Sequence, residues 1–282
     1  MKNIKEDVAL ITGASHGIGL ELARKMLTEG WQVIAFIRSN LPEDDPLIRE
    51  SLEGLQLRAY QADLTDFSSL RKVLNDVKVK EKRIDILFNN AGGSFPELTL
   101  SKQNREMHYE LQTVVPYIIF MELRPQLLKG QYKTVINTSS AALLALRQFT
   151  PESLEHPPVF KKLFGPYATS KLALSLWTQE LALQEKAKGA GIKLYSVDPG
   201  GNNTTRKGKK SGIPFYLKLI IKLFLPHPSK GATRLYEIAM SGNKKTSGLF
   251  FVKGKSRPLK FMEHKSDILS KVKKIYAQEF HQ

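Results

Sequence analysis

Short apolar runs alternate with longer stretches of helical periodicity along most of the chain. The apolar runs lie at about residues 8–12, 32–37, 56–60, 84–88, 132–138, 192–197 and 248–252. After the first run, apolar side chains recur at helical spacing, at Leu20, Leu22, Ala23, Met26 and Leu27. When strands alternate with helices, each helix connects one parallel strand to the next in a right-handed crossover. The pattern therefore predicts an α/β fold: a doubly wound parallel sheet of about seven strands with helices on both faces.

Length and composition fit one domain. Because 41% of the 282 residues are hydrophobic, the chain can bury one sizeable core, and we interpret residues 1–282 as a single unit. The absence of cysteine excludes a disulfide framework and a thiolate metal site. The histidines show no ligand spacing, so no metal is expected. The sequence has neither a signal-peptide hydrophobic region nor an apolar run near the roughly 18 residues that cross a bilayer, and we expect a cytoplasmic protein.

Basic residues concentrate in the C-terminal third. Residues 201–282 contain 18 Lys or Arg and 4 Asp or Glu, which gives +14 of the net charge of +16. This positive field predicts an anionic partner. No nucleic acid is expected, because the excess is spread over the whole region without a recognisable reader motif. The last part, about 255–282, is interpreted as a basic C-terminal extension.

Tyr167 and Lys171 form the most informative pair in the chain. If their segment is helical, the four-residue spacing places both side chains on one face. A fixed cation beside a phenol favours the phenolate and moves its pKa from about 10 toward the range in which proton transfer is efficient. Ser140, upstream of the pair, would hold the substrate oxygen. The combination predicts interconversion of a carbonyl and an alcohol.

A glycine-rich turn follows the first apolar run, with the sequence Thr-Gly-Ala-Ser-His-Gly-Ile-Gly over residues 12–19. Glycines permit a tight turn and let backbone N–H groups approach a pyrophosphate at the positive end of the following helix. Three later apolar runs also end in polar or small residues, at 85–92, 134–140 and 199–204. Open parallel sheets bind ligands at this carboxyl edge. The sequence therefore predicts a nucleotide site there.

In their order, these motifs resemble the short-chain dehydrogenase/reductase family from about residue 6 to about residue 252. The resemblance implies a Rossmann-type sheet in a dinucleotide-binding and catalytic domain. It also implies that Ser140 orients and polarises the substrate carbonyl or alcohol and that Tyr167 is the acid/base. Lys171 would bind the nicotinamide ribose and lower the pKa of the tyrosine.

The resemblance also implies a set of cofactor-binding residues. These are Thr12, Gly13, Ser15, His16, Gly17, Ile18, Gly19, Arg38, Asp63, Leu64, Asn90, Ala91, Gly92, Tyr167, Lys171, Pro199, Gly200 and Thr204. Within this set, Asp63 is expected at the adenine and Asn90 near the adenine ribose. Pro199, Gly200 and Thr204 would close over the nicotinamide.

Gln112 departs from the family pattern, in which an asparagine occupies this position. In relatives that asparagine holds a water that relays protons to the lysine. The longer glutamine would support a shifted or slower relay. The interpretation is a working enzyme, and the alternative is an NADP(H)-binding regulator or scaffold with weak or lost turnover.

The end of the second strand indicates which cofactor is used. An acidic residue there would hydrogen-bond the ribose diol of NAD, whereas a basic one accommodates the extra phosphate of NADP. Here Ile37 occupies the position of the acid and Arg38 follows it. His16, inside the glycine turn, adds a basic residue that NADP-using relatives often carry. NADP(H) is therefore predicted over NAD(H).

A substrate lid is expected at about residues 201–228. Within it, residues 215–225 are apolar almost all round, with Lys218 and Lys222 on one stripe. One interpretation is a helix packed over the cleft, and the other is a lid that also contacts a membrane surface or admits a lipophilic substrate. The region resembles the retinol-dehydrogenase branch of the family.

The sequence leaves the substrate open beyond a small carbonyl or alcohol, lipophilic or anionic. A homo-oligomer is possible. The segment from Ala141 to Pro166 is too rich in proline for one helix. We expect a surface excursion there, which either shapes specificity at the rim of the pocket or is a loop without function.

Overall fold

The computed structural model describes residues 6–202, 226–241 and 245–281. The first half alternates β1 (Val8–Thr12), α1 (Gly17–Thr28), β2 (Gln32–Ile37), α2 (Pro46–Glu53), β3 (Leu57–Gln61), α3 (Phe67–Lys80) and β4 (Ile86–Asn89). A composite helix follows, made of α4 (Met107–Tyr109), a π-helical turn (Glu110–Val114) and α5 (Val115–Leu128). The alternation of strands and helices predicted from the sequence is confirmed.

The second half completes the sheet. It contains β5 (Thr134–Thr138), two 3-10 turns (Ala141–Ala145 and Pro151–Ser153), α6 (Pro166–Ala187), β6 (Lys193–Asp198), α7 (Pro228–Ser241), β7 (Phe250–Val252) and β8 (Lys255–Arg257). A 3-10 turn (Met262–His264), α8 (Lys265–Ile275) and a π-helical turn (Tyr276–Phe280) form the C-terminal extension. None of the helices among these residues is both long and apolar enough to span a membrane.

The strands form one sheet in the order β3-β2-β1-β4-β5-β6-β7-β8. The first seven are parallel, and each lies within two residues of a predicted run. The eighth strand was not predicted: β8 pairs antiparallel with β7, from Phe250 opposite Arg257 to Val252 opposite Lys255. Its three residues are all exposed, so no apolar run marks it.

Each face of the sheet buries its own apolar core, as a doubly wound fold requires. Along β1, Val8 and Leu10 join one core, whereas Ala9 and Ile11 join the other. The first core is covered by α3, α5, α6 and α8, and the second by α1, α2 and α7. Strands covered on both faces are apolar at most positions, which is why the sequence shows them as nearly continuous apolar runs.

The C-terminal extension packs against the body of the domain. Phe280 is 1% exposed, and its ring lies edge-on to Phe67 with 5.4 Å between centroids. Its carbonyl oxygen accepts hydrogen bonds from the Arg71 guanidinium. Most lysines of the extension are exposed, while Ile268, Leu269, Val272 and Ile275 are buried. The solvent-facing surface of the extension is therefore basic, and the surface that packs against the domain is apolar.

Phe280→Ala tests whether this last turn stabilises the domain. We expect the free energy of unfolding, measured by urea denaturation, to fall by about 3–5 kcal/mol, because the substitution leaves a cavity against Phe67. The matched control is Lys274→Ala, an exposed position of the same helix, which should change it by no more than about 0.5 kcal/mol. Equal losses for the two variants would show that the turn contributes nothing.

Candidate active site

The glycine turn brings the start of α1 close against the sheet. Gly13 has φ +69°, and a Cβ there would lie 2.9 Å from the Cα of Ala91. Its N–H donates to the carbonyl of Phe36 at 2.9 Å. A Cβ at Gly19 would overlap the carbonyl oxygen of Gly13. The turn therefore has no room for a side chain at Gly13 or Gly19. This is expected where the backbone approaches a ligand closely.

The first turn of α1 is open to an anion. His16 caps the helix with extended backbone, and no side chain caps the N–H groups that follow. His16, Gly17 and Ile18 are half-buried, while Ser15 is buried. Uncapped N–H groups at a helix N-terminus form a cradle for phosphate. This arrangement fits the pyrophosphate of a dinucleotide.

Thr12 joins the ends of β1 and β4. Its hydroxyl accepts hydrogen bonds from the N–H groups of Asn90 and Ala91, at 2.9 and 2.8 Å. The Asn90 side chain donates back to the Thr12 carbonyl at 3.1 Å. Thr12 is itself buried, so its contribution is to hold the Asn90–Gly92 segment beside the glycine turn.

Arg38 lies directly after β2, with an exposed side chain. Ser39 next to it shares a hydrogen bond of 3.2 Å with Ser15, whose hydroxyl also contacts the His16 ring at 2.9 Å. The end of β2 is thereby tied to the glycine turn. Asp63 is exposed after β3, where its carboxylate accepts the N–H and hydroxyl of Thr65. Its neighbour Leu64 is buried.

Ser140, Tyr167 and Lys171 are brought together where β5 ends and α6 begins. Tyr167 is the second residue of α6, is half-buried, and its phenol lies within interaction range of Ser140. Lys171 lies one turn further along and is 4% exposed. Its ammonium nitrogen donates to the Thr138 carbonyl at 2.6 Å, which fixes α6 against β5. The helical face predicted for the pair is present.

Burial dominates the electrostatics of this group. It raises the pKa of the Tyr167 phenol, while the Ser140 hydrogen bond lowers it and the nearby charge of Asp198 raises it further. Burial also lowers the pKa of Lys171 to about 7. The downward shift of the Tyr167 pKa expected from Lys171 is not found, because desolvation of the phenol outweighs the other influences.

Gln112 lies in the π-helical turn between α4 and α5 and is buried. Its Nε2 donates to the Gly93 carbonyl at 3.3 Å. No described residue donates to its Oε1, and a Cβ at Gly92 would lie 2.8 Å from that oxygen. The side chain thus supports the loop after β4. Single π-helical turns inside α-helices are frequent at functional sites.

The turn after β6 is held by α7. The Arg234 guanidinium donates to the Pro199 carbonyl at 2.7 Å and lies over Gly200, where it leaves no room for a Cβ. Asn202 donates to the carbonyls of Pro199 and Gly200 and accepts from the N–H of Gly231. Thr204 and almost all of the lid, including Lys218 and Lys222, lie outside the described residues.

The segment between Ser140 and Tyr167 is anchored by the C-terminal extension. Lys260 donates to the carbonyls of Leu144 and Leu146 at 2.9 and 3.1 Å. The Phe149 ring packs against Phe261 with 5.9 Å between centroids. The segment contains two 3-10 turns and no long helix, as its prolines predict. These contacts make it an ordered part of the domain.

Two residues beside Tyr167 were missed by the sequence analysis. His108 lies edge-on to the tyrosine ring at 5.9 Å, accepts the N–H of Phe95 and hydrogen-bonds Glu106 at 2.6 Å. Histidine spacing was searched only for metal ligands, so this pairing gave no signal. Asp198 ends β6 directly before Pro199, and an acid at a buried strand end was the available clue.

The chain is similar to known proteins in sequence and in fold. The short chain dehydrogenase profile matches residues 7–151. Mouse retinol dehydrogenase 12 is 29% identical over 252 residues, which cover 86% of this chain and 77% of the relative. The bovine protein of the same name is 30% identical over 250 residues with the same coverage. Among solved structures, 4-hydroxyisoleucine dehydrogenase complexed with NADH superposes with a TM-score of 0.64 at 19% identity, covering 88% of this chain and 96% of that one.

The buried Lys171 predicts a pH-dependent stability. Its folded pKa of about 7 lies below the ordinary value of 10.5, so between these values the unfolded chain binds a proton that the folded chain does not. The free energy of unfolding therefore gains a contribution that grows as pH rises through this window. Lys171→Met should remove that contribution, so the parent gains stability relative to the variant from pH 7 to pH 10.

Urea denaturation at several pH values measures this difference. Lys186→Met, at an exposed position of the same helix, is the control and should follow the parent at every pH. If the curves of Lys171→Met and the parent ran parallel from pH 7 to pH 10, the burial argument would be wrong.

Proposed function

The chain belongs to the short-chain dehydrogenase family, and we propose that it is an NADP(H)-dependent oxidoreductase that interconverts a carbonyl and an alcohol. The observation that carries the proposal is that Ser140 and Tyr167 lie within interaction range, with the buried Lys171 one helical turn away from Tyr167. This group lies at the carboxyl edge of the sheet, as does the open N-terminus of α1. Family membership supports a nicotinamide cofactor, which supplies or accepts the hydride.

In the proposed mechanism, Ser140 and Tyr167 bind the substrate oxygen. The hydroxyl of Ser140 donates a hydrogen bond that polarises the carbonyl. Tyr167 delivers its phenolic proton to that oxygen as the alcohol forms, and takes it back in the reverse direction. The Tyr167 phenol carries its proton at neutral pH, as a general acid in the direction of reduction requires. Lys171 would hold the nicotinamide ribose.

NADP(H) is proposed over NAD(H) because of charge at the end of β2. The guanidinium of Arg38 is exposed and can contact an anion. Ile37 stands at the position where NAD-type relatives have an acid. Arginine suits the additional phosphate, because its guanidinium forms charge-assisted hydrogen bonds with phosphate oxygens. The Ser39–Ser15 hydrogen bond holds this position next to the phosphate cradle at His16.

A lipophilic substrate is proposed from the apolar surroundings of Tyr167. The ring of His108 lies edge-on to Tyr167, and the rings of Phe95 and Phe160 pack in turn against His108. In the same loops, Leu98, Val159 and Phe164 expose 45%, 61% and 49% of their surface. The retinol dehydrogenase relatives agree with this class.

Contact with a membrane surface, an anionic substrate, a homo-oligomer and a cytoplasmic location remain predictions from the sequence.

The alternative is a protein that binds the cofactor with weak or lost turnover. It is motivated by Gln112 at the usual asparagine position. The intact arrangement of Ser140, Tyr167 and Lys171 supports catalysis instead, because cofactor binding alone does not need a serine and a phenol within interaction range of each other.

Tyr167→Phe tests the proposed acid/base. We expect turnover to fall by about 10²–10⁴-fold, because the variant lacks the transferable proton, while the dissociation constant for NADPH stays within about twofold. The measurements are absorbance of the reduced cofactor and fluorescence titration. The control is Tyr132→Phe, because Tyr132 lies just before β5, at the end of the strand away from Ser140. This variant should keep the parental rate. Near-parental turnover in Tyr167→Phe would refute the mechanism.

Arg38→Asp tests the proposed cofactor preference. We expect the ratio of NADH to NADPH dissociation constants to fall by about tenfold or more, because the substitution removes a phosphate partner and introduces repulsion. Arg49→Asp makes the same charge change at an exposed position of α2 and should leave the ratio unchanged. An unchanged ratio in Arg38→Asp would contradict a role for this side chain.

A further inference from the structure

His108 is a buried histidine beside Tyr167 that the mechanism above does not use. It lies in α4 and is 1% exposed. Its ring lies edge-on to Tyr167 and Phe95, with 5.9 and 4.7 Å between centroids, and stacks on Phe160 at 6.3 Å. These three rings come from α6, from the loop after β4 and from the segment between Ser140 and Tyr167. The imidazole therefore joins three separate segments that meet next to the Tyr167 ring.

Both ring nitrogens of His108 have a hydrogen-bond partner. The Phe95 N–H donates to Nε2 at 2.9 Å, and Nδ1 lies 2.6 Å from Oε1 of Glu106. Because a backbone N–H can only donate, Nε2 carries the lone pair. The hydrogen is then on Nδ1, which donates to the carboxylate. The imidazole thus presents a fixed acceptor to the loop after β4.

Glu106 holds the imidazole in this orientation. The glutamate is buried, and its Oε2 accepts the N–H of Tyr109 at 2.9 Å, which caps α4. Its own N–H donates to the carbonyl of Glu155 at 2.8 Å, in the segment between Ser140 and Tyr167. Since the carboxylate is fixed from both sides, it restricts the rotation of the His108 ring.

The loop of residues 92–99 contains neither helix nor strand. Two side chains of the composite helix hydrogen-bond its backbone. Gln112 donates to the Gly93 carbonyl at 3.3 Å, and His108 accepts the Phe95 N–H. The exposed Leu98 belongs to the same loop. Loss of the acceptor at His108 would release the part of the loop that packs beside Tyr167.

The contacts of His108 distinguish attachment of the loop from proton transfer. One nitrogen is engaged by Phe95 and the other by Glu106, and the contact with Tyr167 is between rings. A phenylalanine at this position would offer a ring for the same packing. What the imidazole adds is an acceptor for the Phe95 N–H, and a buried polar group is retained at low cost only when such bonds are made.

We propose that His108 is a positioning residue, which fixes the loop of residues 92–99 as a wall of the substrate pocket beside Tyr167. A wall that is ordered in advance does not have to be ordered by the substrate, so a lipophilic carbonyl binds more tightly. The effect on the reaction rests on the proposed function, whereas attachment of the loop is measurable without any substrate.

Three substitutions separate the hydrogen bonds of His108 from its ring contacts. His108→Phe keeps an aromatic ring and loses both hydrogen bonds. His108→Gln brings an amide oxygen near the position of Nε2, where it can accept the Phe95 N–H. His108→Asn is too short to reach that N–H and keeps only a donor for Glu106. Thermal unfolding of each variant verifies that it is folded before the comparison.

The first measurement is hydrogen exchange of the Phe95 amide, followed by NMR on protein labelled with ¹⁵N-phenylalanine. Phe95→Leu identifies its resonance, and the amide of Phe88, inside β4, reports whether the sheet is intact. We expect exchange at Phe95 to become about three- to tenfold faster in His108→Phe and His108→Asn, and to stay within about twofold of the parent in His108→Gln. Parental exchange at Phe95 in His108→Phe would overturn the attachment.

The second measurement is the steady-state reduction of decanal, a lipophilic aldehyde, with NADPH. We expect His108→Phe to raise the KM for decanal about three- to tenfold with kcat within about twofold of the parent, and His108→Gln to restore the parental KM. A fall in kcat at unchanged KM in both variants would assign His108 to the chemistry and overturn the proposal. A parent that turns over no carbonyl would instead contradict the proposed function, and the amide exchange would still decide the attachment.

Discussion

The hydrogen bond between the Lys171 ammonium and the Thr138 carbonyl is the interaction on which the candidate site depends. At 2.6 Å and fully inside the protein, it joins α6 to the carboxyl end of β5. The same contact sets where the first turn of α6 lies, and so places Tyr167 against Ser140. Burying an amine is unfavourable, which is reflected in its lowered pKa. A chain that needed only a stable helix would place an apolar side chain here.

Most of the sheet could be predicted from the sequence because its strands are covered on both faces. Such strands are apolar at most positions. The glycine turn and the Tyr167–Lys171 pair could also be predicted, because both are local motifs. The strand β8 was missed because hydrogen bonding to β7 alone defines it. Asp198 was missed although an acid at the end of a buried strand is a local clue, because only the pairing of β5 with β6 shows that it lies beside the site.

The C-terminal extension shows how a surface segment supports the site from a distance. Its basic composition predicted an anionic partner, and the structure adds that its apolar face is buried and that Lys260 holds the segment that follows Ser140. Charge counted along the sequence does not reveal which lysines already have partners inside the fold. The charge of Lys260 holds two backbone carbonyls in the segment that follows Ser140.

The central claim is that the chain binds a reduced nicotinamide cofactor and uses it on a carbonyl. The most direct measurement is a fluorescence titration of the purified protein with NADPH and with NADH. A panel of lipophilic and anionic carbonyls follows in the same cuvette while absorbance of the reduced cofactor is monitored. We expect tighter binding of NADPH and oxidation that depends on the added carbonyl. Failure to bind either nucleotide, or tight binding without oxidation by any carbonyl of the panel, would contradict the account.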